Sequence, residues 1–288
     1  MSGEARFAFG ANWKNFLEHV DARRIAEAER SLLAMLGGPA ALRGKSVLDI
    51  GSGSGLFSLA ATRLGAARVH SFDYDAQSVA CTSEMKRRFA HEASHWSIER
   101  GDVLDAAYLE RLGHFDVVYS WGVLHHTGRI WEAIANAAGR VRGGGLLFIA
   151  IYNDQGRKTR FWTAVKRLNN RGALGRSAVL GTFIPYWSIR GAVLDLLRAR
   201  DPRRRYREYR SARGMSAMHD WIDWLGGYPF EAAKPEAVFR FLRDRGFVLR
   251  DLTTCAGGLG CNEFVFEKPE GLNAPALPPS GAAGMHAP

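Results

Sequence analysis

Cysteine is scarce in this chain: three among 288 residues, Cys81, Cys255 and Cys261, without framework spacing. That composition excludes a disulfide scaffold and leads us to expect a reducing, cytoplasmic compartment. Cys255 and Cys261 flank Ala-Gly-Gly-Leu-Gly and could approach each other across a hairpin. No further ligand residues stand nearby, so no metal site is expected. Long apolar runs are missing as well. Residues 1–10 hold no apolar stretch of the secretory type. The longest apolar tract, 178–197, is interrupted by Pro185, Arg190 and Asp195, which makes a poor transmembrane span. No internal repeat is present.

Acidic residues are sparse in one segment only. Between positions 157 and 213 there are 16 Lys/Arg and 3 Asp/Glu, a balance of 16 − 3 = +13, while the whole chain carries +10. The remainder is therefore at 10 − 13 = −3. A basic segment of this kind suits phosphates, acidic headgroups or an anionic substrate, or simply a solvated Arg-rich face. With 47% hydrophobic and 24% charged residues the chain is otherwise an ordinary globular protein with a sizeable core.

What is present centres on Val47-Leu48-Asp49-Ile50-Gly51-Ser52-Gly53-Ser54-Gly55-Leu56-Phe57. An apolar run, three alternate glycines and a helical pattern predict a strand, a tight turn and a helix start, with room for a ligand against bare backbone. A dinucleotide fingerprint requires a third glycine three residues after Gly53, and Leu56 stands there. Asp49 ahead of the turn would oppose a pyrophosphate and favour a ligand carrying an amine.

Around this turn the periodicity alternates between strand and helix. Strands are predicted over 46–50, 68–72, 94–98, 115–120 and 146–151, with helices over 56–64, 76–89, 106–112 and 130–141, the last ended by Gly143-Gly144-Gly145. Asp21 is placed to cap an earlier helix with Ile25, Ala28, Leu32 and Leu36 on one face. A helix over 234–245 and strands over 247–252 and 262–267, joined by a Gly-rich turn, follow. From Pro269 on, Ala, Pro and Gly predict a disordered tail. Such alternation calls for an α/β fold built on a doubly wound, mostly parallel sheet.

The pattern D-x-G-x-G-x-G resembles motif I of the class I S-adenosylmethionine-dependent methyltransferases. The resemblance runs in order from 46 to about 151. Within the class it is most similar to the ubiquinone-biosynthesis O-methyltransferases. It implies a seven-stranded Rossmann-like sheet; it does not cover 152–230, where the residues themselves are read as a helical insertion after the fifth strand. It also implies S-adenosylmethionine as cofactor, held by Asp49, Gly51, Ser52, Gly53 and Gly55. Asp73, followed by Tyr74, stands where the family keeps an acid for the ribose hydroxyls, and Asp102, followed by Val103, where it keeps one beside the adenine. Ser120 and Trp121 belong to the segment that runs under the methionine end. The expected layout is an N-terminal helical lid (1–45), the cofactor core (46–151), a basic helical insertion (152–234), the last helix and hairpin (235–268) and the tail (269–288).

Acceptor chemistry is less defined. His126 and His125 follow the fourth strand, at the ligand edge of the sheet, where one could act as a base or both could brace the loop. Trp13, in an aromatic opening with Phe7, Phe9 and Phe16, could be a lid or a packing residue. Tyr152 and Asn153 after the fifth strand, and His219 and Tyr228 in the aromatic stretch 215–230, are candidate substrate contacts. Within the insertion, Phe161, Trp162, Val165 and Leu168 form an apolar face with Lys166 and Arg167 off it. Pro202 and Arg203-Arg204-Arg205 mark a break further on.

A small-molecule acceptor methylated at a hydroxyl or carboxylate oxygen is expected, and the basic segment suits an anionic one. Nitrogen or carbon acceptors, a non-catalytic cofactor-binding protein and a nicotinamide oxidoreductase are the alternatives. The missing third glycine speaks against the last. The insertion is expected to be a substrate lid first, an oligomer contact such as a homodimer second and a peripheral membrane contact third. Nucleic acid ranks last, for want of a binding motif.

Overall fold

The computed structural model describes residues 10–198, 201 and 217–271. Phe7, Phe9, the break at Pro202–Arg205 and positions 272–288 of the expected tail lie outside the described residues, as does the side chain of His219. Helices α1 (Gly10–Leu17) and α2 (Ala22–Leu36) come first. Asp21 caps α2 by accepting from Arg24 N at 2.8 Å, and the residues buried beneath it are Ile25, Ala28, Leu32 and Leu36, the stripe read from the sequence. Then follow β1 (Ser46–Ile50), α3 (Leu56–Arg63), β2 (Arg68–Asp73), α4 (Ala76–Phe89), β3 (Trp96–Arg100), α5 (Ala106–Leu112), β4 (Phe115–Trp121), α6 (Ile130–Gly139) and β5 (Val141–Tyr152). The insertion supplies α7 (Arg157–Asn169), α8 (Ala173–Leu197) and α9 (Ala217–Gly226). Helix α10 (Pro235–Arg243), β6 (Val248–Thr253) and β7 (Cys261–Glu267) complete the chain.

The seven strands form one sheet in the order β3-β2-β1-β4-β5-β7-β6. Strands β1 to β5 are parallel, and β7 runs antiparallel to both β5 and β6. This is the predicted α/β, doubly wound, mostly parallel architecture. Because the chain winds outward from β1 to β3 and then returns to β4, the topological switch point lies between β1 and β4. Ligands of open α/β sheets sit at that crevice, outside the carboxyl ends of the strands. Alternate residues feed two cores. Leu48, Ile50, Val118 and Ile149 join Ile134 of α6 and Val238 of α10 on one face. Val47, Val69, Val117 and Phe148 join Leu32 of α2, Leu59 of α3 and Met85 of α4 on the other.

Two expectations shift. The third strand lies two residues later than 94–98. Helix α6 ends at Gly139, and Gly143-Gly144-Gly145 lie inside β5 rather than ahead of it. The physical reason is a register shift between Phe115 and Val117 where β5 meets β4. A Cβ on Gly145 would fall 2.8 Å from the Asp116 carbonyl oxygen, so bare backbone is what lets the strands close here. Lys268 then secures the glycine run: its N donates to Gly145 O at 2.9 Å, its carbonyl accepts from Gly144 N at 2.7 Å, and its Nζ donates to Val141 O at 3.0 Å. All three cysteines are free. Among the described residues no helix is long and apolar enough to cross a membrane.

A buried polar chain runs through the second core, directly beneath the glycine turn. Trp96 Nε1 donates to Ser71 Oγ at 2.8 Å, Ser71 and Ser58 share a bond of 2.6 Å, and Ser58 Oγ donates to Asp49 Oδ2. Asp49 is only 3% exposed, and burial pushes its carboxyl up to about 7 despite the Ser58 bond. A carboxyl with a raised native pKa keeps its proton in the folded chain where the unfolded chain has already released it. Its contribution to stability therefore falls as pH rises from about 4 to 7. Asp49→Asn retains an acceptor for Ser58 and removes the charge. The variant is expected to be more stable than wild type at pH 8, with the gap narrowing by on the order of 2 kcal/mol at pH 5. Urea unfolding at the two pH values checks this, and a wild-type advantage at pH 8 would contradict it.

Candidate functional site

The carboxyl end of β1 opens into the turn Gly51–Gly55, whose three glycines all have left-handed φ, at 76°, 54° and 78°. L residues rarely adopt this conformation, and space is lacking too. A Cβ on Gly51 would come 2.4 Å from Val123 Cγ2, and one on Gly53 would come 2.8 Å from the Trp13 indole. The turn is pinned to the neighbouring strand: Gly51 N and Ser52 N both donate to Phe72 O, at 2.8 and 3.1 Å. Ser52 Oγ and Thr82 Oγ1 lie 2.9 Å apart, and Thr82 Oγ1 also donates to Gly53 O.

Asp73, the last residue of β2, completes the turn. Its Oδ2 accepts from Gly53 N at 3.0 Å and its Oδ1 from Asp75 N at 2.9 Å. Burial pushes this carboxyl up to about 6, the backbone bonds offsetting part of the effect. Its carbonyl accepts from Gly101 N at 3.0 Å, which ties the end of β2 to the loop after β3. In that loop Asp102 Oδ1 accepts from Leu104 N, Val103 is buried, and the Val103 carbonyl accepts from Asn136 Nδ2. Tyr74 is exposed, with the Arg100 guanidinium 5.7 Å from its ring centre. Asp75 caps α4 and also accepts from Gly10 N at 2.8 Å, which anchors α1 beside the turn and brings Trp13 over Gly53.

The structure thus brings Trp13, Gly51, Ser52, Gly53, Gly55, Asp73, Tyr74, Asp102 and Val103 to one edge of the sheet. Asp49 lies beneath the turn rather than on it. Ser120 is fully buried and donates to Ile50 O at 3.0 Å, so it joins β4 to β1 where the turn begins. Trp121 is 47% exposed and its Nε1 donates to Glu263 across β5 at 2.7 Å.

From Val123, the loop after β4 passes into a turn at Leu124–His126. His125 is fully buried, with its ring 4.2 Å from that of Tyr152 and 4.5 Å from that of His126. Its Nδ1 faces the Tyr152 N–H at 3.3 Å, and its Nε2 has no hydrogen-bond partner among the described residues. Burial, then His126 and Lys166, hold His125 well below the usual histidine range. His126 Nδ1 lies 2.6 Å from Pro229 O, so it donates to that carbonyl and the lone pair falls on Nε2. Burial lowers His126 to about 4, with Lys166 adding to the effect. Phe230 closes the cluster, 5.0 Å from Tyr152 and 6.5 Å from His126 between ring centres. Asn153 is turned to the β6–β7 hairpin, where its amide meets Gly258 O and Asn262. The Tyr228 hydroxyl accepts from Arg167 Nε at 3.1 Å.

One residue of this cluster was placed on the wrong side by its sequence pattern. Helix α7 buries Thr159, Lys166 and Asn169 and leaves Phe161 53% exposed. Lys166, expected off the packed face, is 1% exposed. Its Nζ donates to the Trp224 carbonyl and lies 4.3 Å from the Trp224 ring centre and 4.7 Å from that of Phe230. Burial lowers its ammonium to about 7. The spacing of Thr159, Lys166 and Asn169, seven and then three residues apart, was the available signal.

Comparisons with known proteins give the family and the fold. The family described as Methyltransferase domain matches residues 17–209. The ribosomal protein L11 methyltransferase of Xanthomonas campestris pv. campestris is 49% identical over 61 residues, 21% of this chain and 20% of the relative. That of Methylococcus capsulatus is 53% identical over 47 residues, 16% of each. The chain therefore spans about a fifth or less of the length of these curated relatives. An O-methyltransferase family protein from Burkholderia thailandensis shares the fold, with a TM-score of 0.52 at 15% identity over 84% of this chain and 55% of that one. The N-methyltransferase NodS from Bradyrhizobium japonicum, solved with S-adenosyl-L-homocysteine, does so with a TM-score of 0.50 at 14% identity over 91% and 100%. The family match covers about two thirds of the sequence, and the fold agrees with it: this chain belongs to the methyltransferase-domain family, the class I S-adenosylmethionine-dependent enzymes that its glycine turn resembles.

Proposed function

We propose that the protein transfers a methyl group from S-adenosylmethionine to an oxygen of a small molecule. The observation that carries this is the left-handed glycine turn at the switch point, closed by the Gly53–Asp73 hydrogen bond. The residues present fit the cofactor. Three alternate glycines leave the turn at the end of β1 without side chains, and acids stand at the end of β2 and after β3, joined through the Gly101 backbone. Gly51, Gly53 and Gly55 would receive it against the main chain, Asp73 would accept from the ribose hydroxyls, and Asp102 would accept from the adenine amine. The bound group supplies a methyl already activated on a sulfonium.

The chain's own part is to position the acceptor, exclude water and take a proton. We assign the last task to His126 on geometry: its Nδ1–H is committed to Pro229, which puts the ring's lone pair on Nε2, and its lowered pKa leaves that nitrogen unprotonated in the neutral range while making it a weaker base. His125, fully buried against Tyr152, holds the ring beside it. Trp13 over the turn, and Tyr152 with Phe230 over the histidines, are the water-excluding groups. The inward polar face of α7 supports reading the insertion as a substrate lid. The likeness of 46–151 to the ubiquinone-biosynthesis O-methyltransferases favours oxygen. A protein acceptor is the second reading. It rests on the relatives named for ribosomal protein L11, which match 47 to 61 residues of this chain.

Asp73→Ala is expected to weaken S-adenosylhomocysteine binding by about 100-fold or more, since charge-assisted bonds to two hydroxyls are lost. Calorimetry reads it, and near-normal affinity would refute the assignment. Wild-type affinity should hold above pH 7 and fall as pH drops below about 6, where Asp73 takes up its proton. A flat profile from pH 5 to 8 would contradict the role of that carboxylate.

A screen of small-molecule extract and of ribosomal protein with labelled methyl donor separates the two acceptor readings. On the acceptor it returns, His126→Ala should lower turnover about 100-fold with cofactor affinity unchanged. Unchanged turnover would remove His126 as the base.

A further inference from the structure

Lys166 is an unusual residue to find in a packed interior. Lysine is almost never fully buried unless paired. Here the ammonium meets the Trp224 carbonyl and the faces of Trp224 and Phe230. Among the described residues no carboxylate pairs with it, and burial alone accounts for its lowered pKa. A carbonyl and two ring faces offset only part of the cost of taking a charge out of water. Among the described residues the site holds no counter-charge.

Three features make a ligand the fitting counter-charge. Helix α7 packs Trp162 on Trp224, yet the residues it buries most deeply are Thr159, Lys166 and Asn169, polar groups that a helix covering only an apolar core would leave in solvent. One turn beyond Lys166, Asn169 Oδ1 is buried without a hydrogen-bond partner among the described residues. Buried polar atoms are ordinarily satisfied, so the face is incomplete by itself. And Lys166 shares Phe230 with the His126–Tyr152 cluster, at the carboxyl ends of β4 and β5 where an acceptor would be held.

We propose that Lys166 is the acceptor-recognition cation, pairing with a carboxylate of the acceptor and so fixing it beside the His126–Tyr152 cluster. This rests on the methyltransferase reading and deepens it, because it names the chemical class of the acceptor. The aromatic groups on either side suit a flat body attached to that carboxylate. The pairing is a binding contact and the methyl transfer is unaltered by it.

The test uses matched probes that differ only in charge: benzoate against benzamide and cinnamate against cinnamamide. Each is titrated into the full chain saturated with S-adenosylhomocysteine, with ligand-observed NMR as the readout. Wild type should bind at least one carboxylate tenfold or more tighter than its amide. Lys166→Met, which keeps the volume and removes the charge, should erase that preference. It should keep its cofactor affinity and a melting temperature at or above that of wild type. Lys166→Arg should retain part of the preference, and Lys166→Gln is read in the same way as methionine if that variant does not fold. Equal binding of acid and amide by wild type in both pairs, or an undiminished preference in Lys166→Met, would overturn the proposal. Failure of wild type to bind S-adenosylhomocysteine would instead overturn the methyl-donor reading beneath it.

Discussion

The hydrogen bond from Gly53 N to Asp73 Oδ2, 3.0 Å long, joins the turn after β1 to the end of β2. Much of the site depends on it. It holds three left-handed glycines in a fixed curve, and it places a carboxylate beside bare backbone. The same acid reaches Asp75, which caps α4 and anchors α1, so that Trp13 lies over the turn. Glycine is needed because a Cβ at Gly51 or Gly53 would meet Val123 or Trp13. The elements that cover the turn and the turn itself are therefore specified together.

Charge is divided across the switch point. On the β1–β2 side, burial raises Asp49 and Asp73, and the repulsion between them adds to the effect on Asp49. On the β4–β5 side, burial lowers His125, His126 and Lys166. Perturbed groups of this kind cluster where chemistry is done, though structural networks perturb them too. Asp49 is sunk under the turn and bonded to Ser58, while Asp73 and His126 lie at the sheet edge. In the proposed reading, the donor is recognised through its hydroxyls and amine on one side and the acceptor through an anionic oxygen on the other.

The sheet, its winding and the glycine turn were legible in the sequence because each rests on local signals: alternation of strand and helix periods, alternate glycines, and an acid at a strand end. The start of β5 was not, since Gly143-Gly144-Gly145 reads locally as a helix stop. Its strand conformation comes from Lys268, more than 120 residues away in the chain. Lys166 was hidden for a related reason. Its apolar neighbours Phe161 and Leu168 outweigh it in any periodicity, and only the packing of α7 against Trp224 and Phe230 turns the polar face inward. Asn153 follows β5 as predicted, but its amide is taken up by the β6–β7 hairpin. Sequence placed Asn153 after β5, and tertiary contacts decided where it faces.

The central claim is that the turn after β1 receives a methyl donor and not a dinucleotide. Calorimetric titration of the wild-type chain with S-adenosylhomocysteine and, separately, with NADH tests it most directly. The account predicts saturable binding of S-adenosylhomocysteine and none of NADH at comparable concentrations. Saturable binding of NADH with no response to S-adenosylhomocysteine would contradict it.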